Sequence, residues 1–307
     1  MASKTFRFDE TKYYKFGLML GIKNVLHAGF RLGLKKTAGK LLQPVNSYTR
    51  FPEYWFMGSE AEQYLRQFPS SRRPKVLDVG SPKLFGLYLA FHFDIEIYLT
   101  DIDAPSITEA EVLWGAIRDR AKGKAYFSIE DARSLKYPEE NFDMVYAMSV
   151  IEHVDGQAGD AEAMREMVRV LKPGGLLLVT VPFGHEYAEQ ERVGLQGAAR
   201  QTSSQERFFF QRIYTPAAAE ERIVGVVPGA TLAKAVSVRR KDSTIARVYR
   251  RMGADLRGLC GCFNPILSVA LNASQDGIVP VPGNYGALHG PNDVYGDLML
   301  AWNKTPS

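Results

Sequence analysis

The chain is 307 residues long, 46% hydrophobic and 23% charged, which is enough to bury a sizeable core and far from the composition of a disordered segment. Its net charge of +4 is uneven: residues 1–50 carry ten lysines and arginines against Asp9 and Glu10, a surplus larger than that of the whole chain, so the remainder is net acidic. No uncharged apolar run reaches the roughly 18 residues of a spanning helix, and two cysteines, Cys260 and Cys262, argue against a disulfide framework or a structural zinc site and for a reducing, cytoplasmic compartment.

The pattern over residues 12–42 is basic and amphipathic. It predicts a helical arm, either packed as a lid on the main domain or lying on an anionic membrane surface. The apolar run 16–22 is short, Lys23 and Arg31 interrupt its continuation, and no small-residue cleavage site follows closely, so it does not read as a signal peptide. The aromatic segment 48–56, with Phe51, Tyr54 and Trp55, extends the lid. A breaker cluster, Pro69-Ser70-Ser71-Arg72-Arg73-Pro74, then separates an arm of residues 1–72 from a main domain of residues 73–307.

Beyond it, short apolar runs alternate with helical patterns. Strands are expected at 75–80, 95–100, 124–129, 142–147 and 176–181, and helices at 84–92, 107–122 and 158–171. The last of these helices stops at Lys172-Pro173-Gly174-Gly175, and Pro182 ends the strand that follows. Such alternation requires crossover connections, hence an α/β domain with a parallel sheet and helices on both faces. Farther on, 217–223 reads as helical and 232–239 as a strand, while 266–273 and 296–302 compete to be the last strand.

Open sheets of this kind bind ligands beyond the carboxyl ends of their strands. Gly80, closing the first strand, permits a tight turn, and the helix after it presents unpaired N–H groups. Asp78 either orients that turn or meets an ammonium group. Asp101, ending the second strand, can accept hydrogen bonds from both hydroxyls of a ribose, with Asp103 the alternative two residues on. These features alone fit a nicotinamide cofactor and a sulfonium cofactor equally.

Further motifs separate the two. Glu130-Asp131-Ala132-Arg133 follows the third strand; Asn141-Phe142-Asp143-Met144-Val145-Tyr146-Ala147 forms the fourth; Ser149-Val150-Ile151-Glu152-His153-Val154 follows it; and Leu171-Lys172-Pro173-Gly174-Gly175-Leu176 leads into the fifth. In this order and spacing they resemble the class I S-adenosylmethionine-dependent methyltransferases, especially their quinone and small-molecule branch. The resemblance covers residues 76–182, about a third of the chain.

It implies a doubly wound, mostly parallel, seven-stranded Rossmann-like α/β sheet with an added N-terminal helical arm, S-adenosyl-L-methionine as cofactor and S-adenosyl-L-homocysteine as product. Carried over by position, Asp78, Gly80 and Ser81 face the methionine part, Asp101 holds the ribose and Ile102 lies against the adenine. Asp131 accepts from the adenine amino group, the Ala132 N–H meets a ring nitrogen, and Ala147 and Met148 run beside the methionine chain. The glycine pattern departs from the family: Pro82 and Leu84 stand where further glycines are usual, and Pro82 has no N–H to offer.

Methyl transfer to a weakly acidic acceptor needs a base, and His153 is the first candidate, with His185 second. Tyr187, Arg212 and Tyr214 are candidate acceptor contacts, and Phe208-Phe209-Phe210 a second closing element. Related quinone methylases place an acidic residue at the position of Ser149; with serine there, no metal is expected. The expected substrate is a small molecule, methylated on oxygen and polar, lipid-linked or glycan-type, rather than nucleic acid, because the basic surplus is confined to the arm. The alternatives are a non-catalytic binding module on the same fold and, lacking Gly-x-Gly-x-x-Gly, a nicotinamide-dependent reductase.

Overall fold

A computed structural model describes residues 10–28, 51–193, 207–240, 279–280 and 294–305. The expected strand at 266–273, Cys260 and Cys262 lie outside the described residues, as do residues 1–9 and 29–50 of the arm.

Five strands, β1 (Lys75–Val79), β2 (Glu96–Asp101), β3 (Lys124–Ile129), β4 (Phe142–Met148) and β5 (Leu171–Phe183), pair in parallel. Two further strands belong to the same sheet, β8 (Ala230–Arg240) and β10 (Val294–Lys304), and β10 runs antiparallel between β5 and β8. The order is β3-β2-β1-β4-β5-β10-β8, edged by the two-residue β9 (Val279–Pro280). This is the expected doubly wound, mostly parallel sheet of seven full strands. The strand at 296–302 is the one that docks beside β5. The sheet order reverses between β1 and β4, which opens the crevice described below.

Successive residues of the central strands point to opposite faces. Val76, Ile97, Met144, Tyr146 and Leu178 face one layer, where α1 (Glu10–Ala28), α2 (Phe51–Leu65) and α3 (Lys83–His92) pack through Tyr13, Phe16, Leu20, Phe56, Met57, Phe85 and Leu89. Leu77, Val145, Leu177 and Val179 face the other, covered by α5 (Gly159–Val170) through Ala163, Met164 and Met167. The helix of the basic arm is therefore tied to α3 by an aromatic cluster: Phe16 and Tyr13 meet Tyr88 edge-on at 5.6 and 5.2 Å.

Two expected boundaries move. The helix placed at 107–122 is α4 (Ala104–Gly115): Asp103 caps it by accepting from the Ser106 N–H at 3.1 Å, and Pro105 suits its first turn. Lys172-Pro173-Gly174-Gly175 is not a loop before β5 but lies within it, as a bulge. Pairing jumps from Phe142↔Leu171 to Met144↔Leu176, with Gly174 at φ +73° absorbing the excess residues. The polar stretch after β5 forms a separate two-stranded ribbon, β6 (Ala188–Val193) with β7 (Arg207–Ile213), followed by α6 (Pro216–Ala219) and a π-helical turn, Glu220–Val224.

Candidate functional site

At the carboxyl ends of β1 to β4 lies a cavity of about 220 Å³. Gly80, Asp101, Ile102, Asp131, Ala132 and His153 line it together with Ser149, Val150 and Arg133. Six of the residues expected at a site are thus brought into one crevice from four strand ends.

Gly80 forms the floor. Its φ is +67°, and a Cβ there would stand 2.7 Å from Val150 Cγ1, so a side chain would both strain the turn and fill the cradle. Its N–H donates to the Thr100 carbonyl at 2.9 Å, fixing the first turn to β2.

Asp78 takes the first of the two roles open to it. It is fully buried and absent from the cavity wall; Oδ1 accepts from the Ser81 N–H at 2.9 Å and Oδ2 from the Tyr146 hydroxyl at 2.7 Å. Burial pushes its carboxyl up, opposed by the Lys83 ammonium 3.3 Å from Oδ1. Lys83, which the sequence did not single out, also donates to the Ser81 and Thr100 carbonyls at 2.8 and 2.7 Å and lies 3.3 Å from Asp101. One buried ammonium thus ties together the loop that has lost its later glycines.

Asp101 accepts from the Asp103 N–H through Oδ1 and from the Ser106 hydroxyl through Oδ2, both at 3.0 Å, and keeps its remaining lone pairs at the cavity edge. Asp103 caps α4 through Oδ2 and does not line this cavity, whereas Asp101 does. Ile102 stands 57% exposed over the opening, an apolar plate for a flat ring.

Asp131 is gripped by Arg133. The guanidinium donates to Oδ1 at 3.0 Å and to Oδ2 at 2.6 Å, and holds the carboxyl below the usual carboxylate range. Its Nη1 reaches the Asp155 carbonyl at 3.4 Å, so Arg133 spans the lip of the cavity. Arg133 lay within the quoted motif, but its pairing two residues back is a turn geometry that no periodicity reveals.

His153 sits at the end of a 3₁₀ turn, Ile151–His153. Nδ1 lies 2.6 Å from the Phe210 carbonyl, which can only accept, so Nδ1 carries a proton and Nε2 is the nitrogen not taken by that bond. Glu152 Oε1 lies 3.6 Å from Nε2 and stabilises an imidazolium formed there.

Several expected site residues fall elsewhere. Ser81 is buried, its hydroxyl accepting from the Met148 N–H at 2.9 Å; Ala147 and Met148 are fully buried inside the sheet. None of the three lines the cavity, because the first turn closes down on β4 through that bond. His185 is exposed in the connection from β5 to β6 and away from the cavity wall. Tyr187 is 40% exposed and donates to Glu189 at 2.9 Å.

Arg212 and Tyr214 are structural rather than acceptor-facing. Both are buried: Arg212 donates to the Val154 and Gly156 carbonyls at 2.6 and 2.5 Å, and Tyr214 donates to buried Asp160 at 2.9 Å. Arg222 completes that cluster with two bonds of 2.8 Å to Asp160. The group clamps residues 154–160, and so the loop carrying His153, onto β7. Phe210 serves the site through its carbonyl rather than as a cover.

The arrangement fits an adenosyl group. An acceptor-only carboxylate stands at the second strand end, an apolar plate beside it and a second carboxylate at the third. A side-chain-free floor underlies the first, and an oriented imidazole closes the fourth. Among the described residues no cluster of His, Cys, Asp and Glu is spaced to hold a metal, and no helix is long and apolar enough to cross a membrane.

The family model described as "Methyltransferase domain" matches residues 77–179, the span that supplies every lining residue of the cavity. Phosphoethanolamine N-methyltransferase 3 of Arabidopsis thaliana is 33% identical over 107 residues, covering 34% of this chain and 20% of that protein. The ubiquinone/menaquinone biosynthesis C-methyltransferase of Laribacter hongkongensis is 36% identical over 90 residues, 27% of this chain and 32% of that protein. A tRNA (carboxymethyluridine(34)-5-O)-methyltransferase of Arabidopsis thaliana is 30% identical over 154 residues, 50% of this chain and 33% of that protein. The chain spans about a third or less of the length of these relatives.

Proposed function

We propose, from the premise that residues 77–179 are a class I S-adenosylmethionine-dependent methyltransferase domain, that the chain moves a methyl group to a small-molecule acceptor, on an oxygen of a polar, lipid-linked or glycan-type compound. The observation that carries the reading is the convergence of Asp101, Ile102, Asp131 and Gly80 on one cavity.

When bound, S-adenosylmethionine supplies a methyl carbon on a sulfonium, open to in-line displacement. The protein's own part is alignment, exclusion of water and removal of one proton. Asp101 holds the ribose hydroxyls, Ile102 covers one face of the adenine, and Asp131 with the Ala132 N–H reads its edge. His153, through Nε2, takes the acceptor's proton. Its Nδ1–H is held by Phe210 so that the ring cannot turn the wrong nitrogen inward.

Small molecules are favoured over nucleic acid by charge. The main domain is net acidic, and duplex or tRNA binding relies on phosphate contacts from Lys and Arg. Two of the relatives are named for tRNA, so total tRNA is the control acceptor in any transfer assay: incorporation of labelled methyl into it above an RNA-free blank overturns this part. The compartment is cytoplasmic, with peripheral contact to anionic membrane through the arm. Leu18 and Ile22 project from α1, 50% and 46% exposed, beside Lys15. A Leu18→Gln/Ile22→Gln variant that floats with anionic liposomes as well as the parent removes that contact.

The decisive binding experiment is calorimetry with S-adenosylhomocysteine against NAD(H). Micromolar binding of the first and none of the second is expected. Binding of NAD(H) alone returns the reductase reading, and binding of neither returns a non-catalytic module.

A further inference from the structure

Glu53 reaches Ser149, a residue of the cofactor cavity's wall, from outside the methyltransferase domain. It lies in the first turn of α2, only 2% exposed, and Oε1 accepts from the Thr180 hydroxyl at 2.5 Å and from the Ser149 hydroxyl. Thr180 is on β5 and its oxygen in turn accepts the Ser149 N–H at 3.0 Å. Ser149 lines the cavity and holds φ +48°, a left-handed conformation that is strained for a non-glycine residue and persists where the surroundings impose it.

The proton count gives the site its sign. A serine hydroxyl has one proton, and Ser149 gives it to Glu53; toward the cavity the oxygen can only accept. Behind it stands the buried carboxyl group of Glu53. The end of the cavity beside Gly80 and Val150 is therefore electronegative and offers acceptors to a cation.

We propose that Glu53, acting through Ser149, is a positioning and specificity residue for the cationic methionine end of S-adenosylmethionine, so that α2 completes the cofactor site from the N-terminal side. This rests on the methyltransferase reading. It assigns a residue outside the matched span 77–179 to cofactor selection.

The test measures affinities of the full-length parent, Glu53→Gln and Ser149→Ala for three ligands: S-adenosylmethionine, S-adenosylhomocysteine and methylthioadenosine. The first has sulfonium and ammonium, the second ammonium only, the third neither. Gln is near-isosteric and can still accept from both hydroxyls, and unfolding midpoints within a few degrees of the parent certify the fold. In Glu53→Gln a loss of tenfold or more for S-adenosylmethionine is expected, with methylthioadenosine unchanged; S-adenosylhomocysteine falls too if the ammonium is the group held, and stays if it is the sulfonium. Ser149→Ala loses affinity in the same ligand order. Equal loss for all three ligands, or no loss for any, overturns the proposal. A parent that binds none of the three sinks the methyltransferase reading itself.

Discussion

The ammonium of Lys83 lies 3.3 Å from the carboxylate of Asp101, and at the same distance from that of Asp78, joining the ends of β1 and β2. Thr100 reinforces the joint, its hydroxyl donating to the Asp78 carbonyl at 2.7 Å while its own carbonyl takes the lysine. The loop that lacks the later glycines is thus held by a side chain instead of by backbone closeness.

Lys83→Met should therefore act on stability and on binding together. It leaves the fully buried Asp78 carboxylate without its cation, a change that typically costs about 3–5 kcal/mol. It also removes the cation 3.3 Å from Asp101. A denaturant titration should show that loss, and S-adenosylhomocysteine affinity should fall at least about tenfold, the equivalent of ~1.4 kcal/mol. A variant as stable as the parent and binding equally well contradicts this role for the lysine.

Arg133 competes for the carboxylate assigned to the purine. Its ion pair with Asp131 is partly exposed, the side chains 40% and 32%, so it is worth no more than about 1 kcal/mol. Arg133→Ala is expected to tighten S-adenosylhomocysteine by up to about fivefold, read by calorimetry, with weaker dependence on salt. A loss of affinity instead would mean that the guanidinium orients Asp131 for the ligand rather than covering it.

For His153 the expected signature is a split between chemistry and binding. His153→Gln should lower methyl transfer by about 10²–10⁴, the usual contribution of a positioned base, and leave S-adenosylhomocysteine affinity within about threefold. Transfer of labelled methyl into a small-molecule fraction at saturating cofactor, compared with ligand titration, separates the two. Undiminished transfer removes His153 as the base.

His92 carries a pH dependence away from the site. It packs against Tyr88 and Phe91 with ring centroids 4.5 and 5.1 Å apart, and burial, then Lys12 and Lys122, lower it from 6.5 to about 4. Folding holds the ring neutral, while the unfolded chain protonates it below about 6.5. Stability from this residue is complete above that pH and declines as pH falls toward 4. His92→Phe should flatten this stretch of the stability-against-pH curve; an unchanged slope between pH 6.5 and 4 assigns the acid sensitivity elsewhere.

Local periodicity made the sheet legible. The expected strand at 124–129 matches β3 without adjustment, and 142–147 falls one residue short of β4, whose buried residues read as a nearly continuous apolar run. Asp101 was singled out by its place at the end of β2 and Asp131 by the motif after β3, and both line the cavity. The bulge at 172–175 was not legible, since Pro-Gly-Gly marks a turn as readily as a bulged strand. Arg212 and Tyr214 looked like acceptor contacts because an Arg–Tyr pair beyond the last parallel strand suits an acidic ligand. Their true partner, Asp160, lies more than fifty residues away along the chain and gives no local sign. Glu53 is the extreme case: its contact with Ser149 joins positions 96 residues apart, and only packing brings α2 there.

The most direct test removes the two strand-end carboxylates. Asp101→Ala and Asp131→Ala are compared with the parent by S-adenosylhomocysteine titration, with unfolding curves confirming that each variant is folded. Each substitution should weaken binding by tenfold or more, and the pair should abolish it within the micromolar range. Folded variants that hold the ligand as tightly as the parent would show that this crevice is not where the adenosyl group sits.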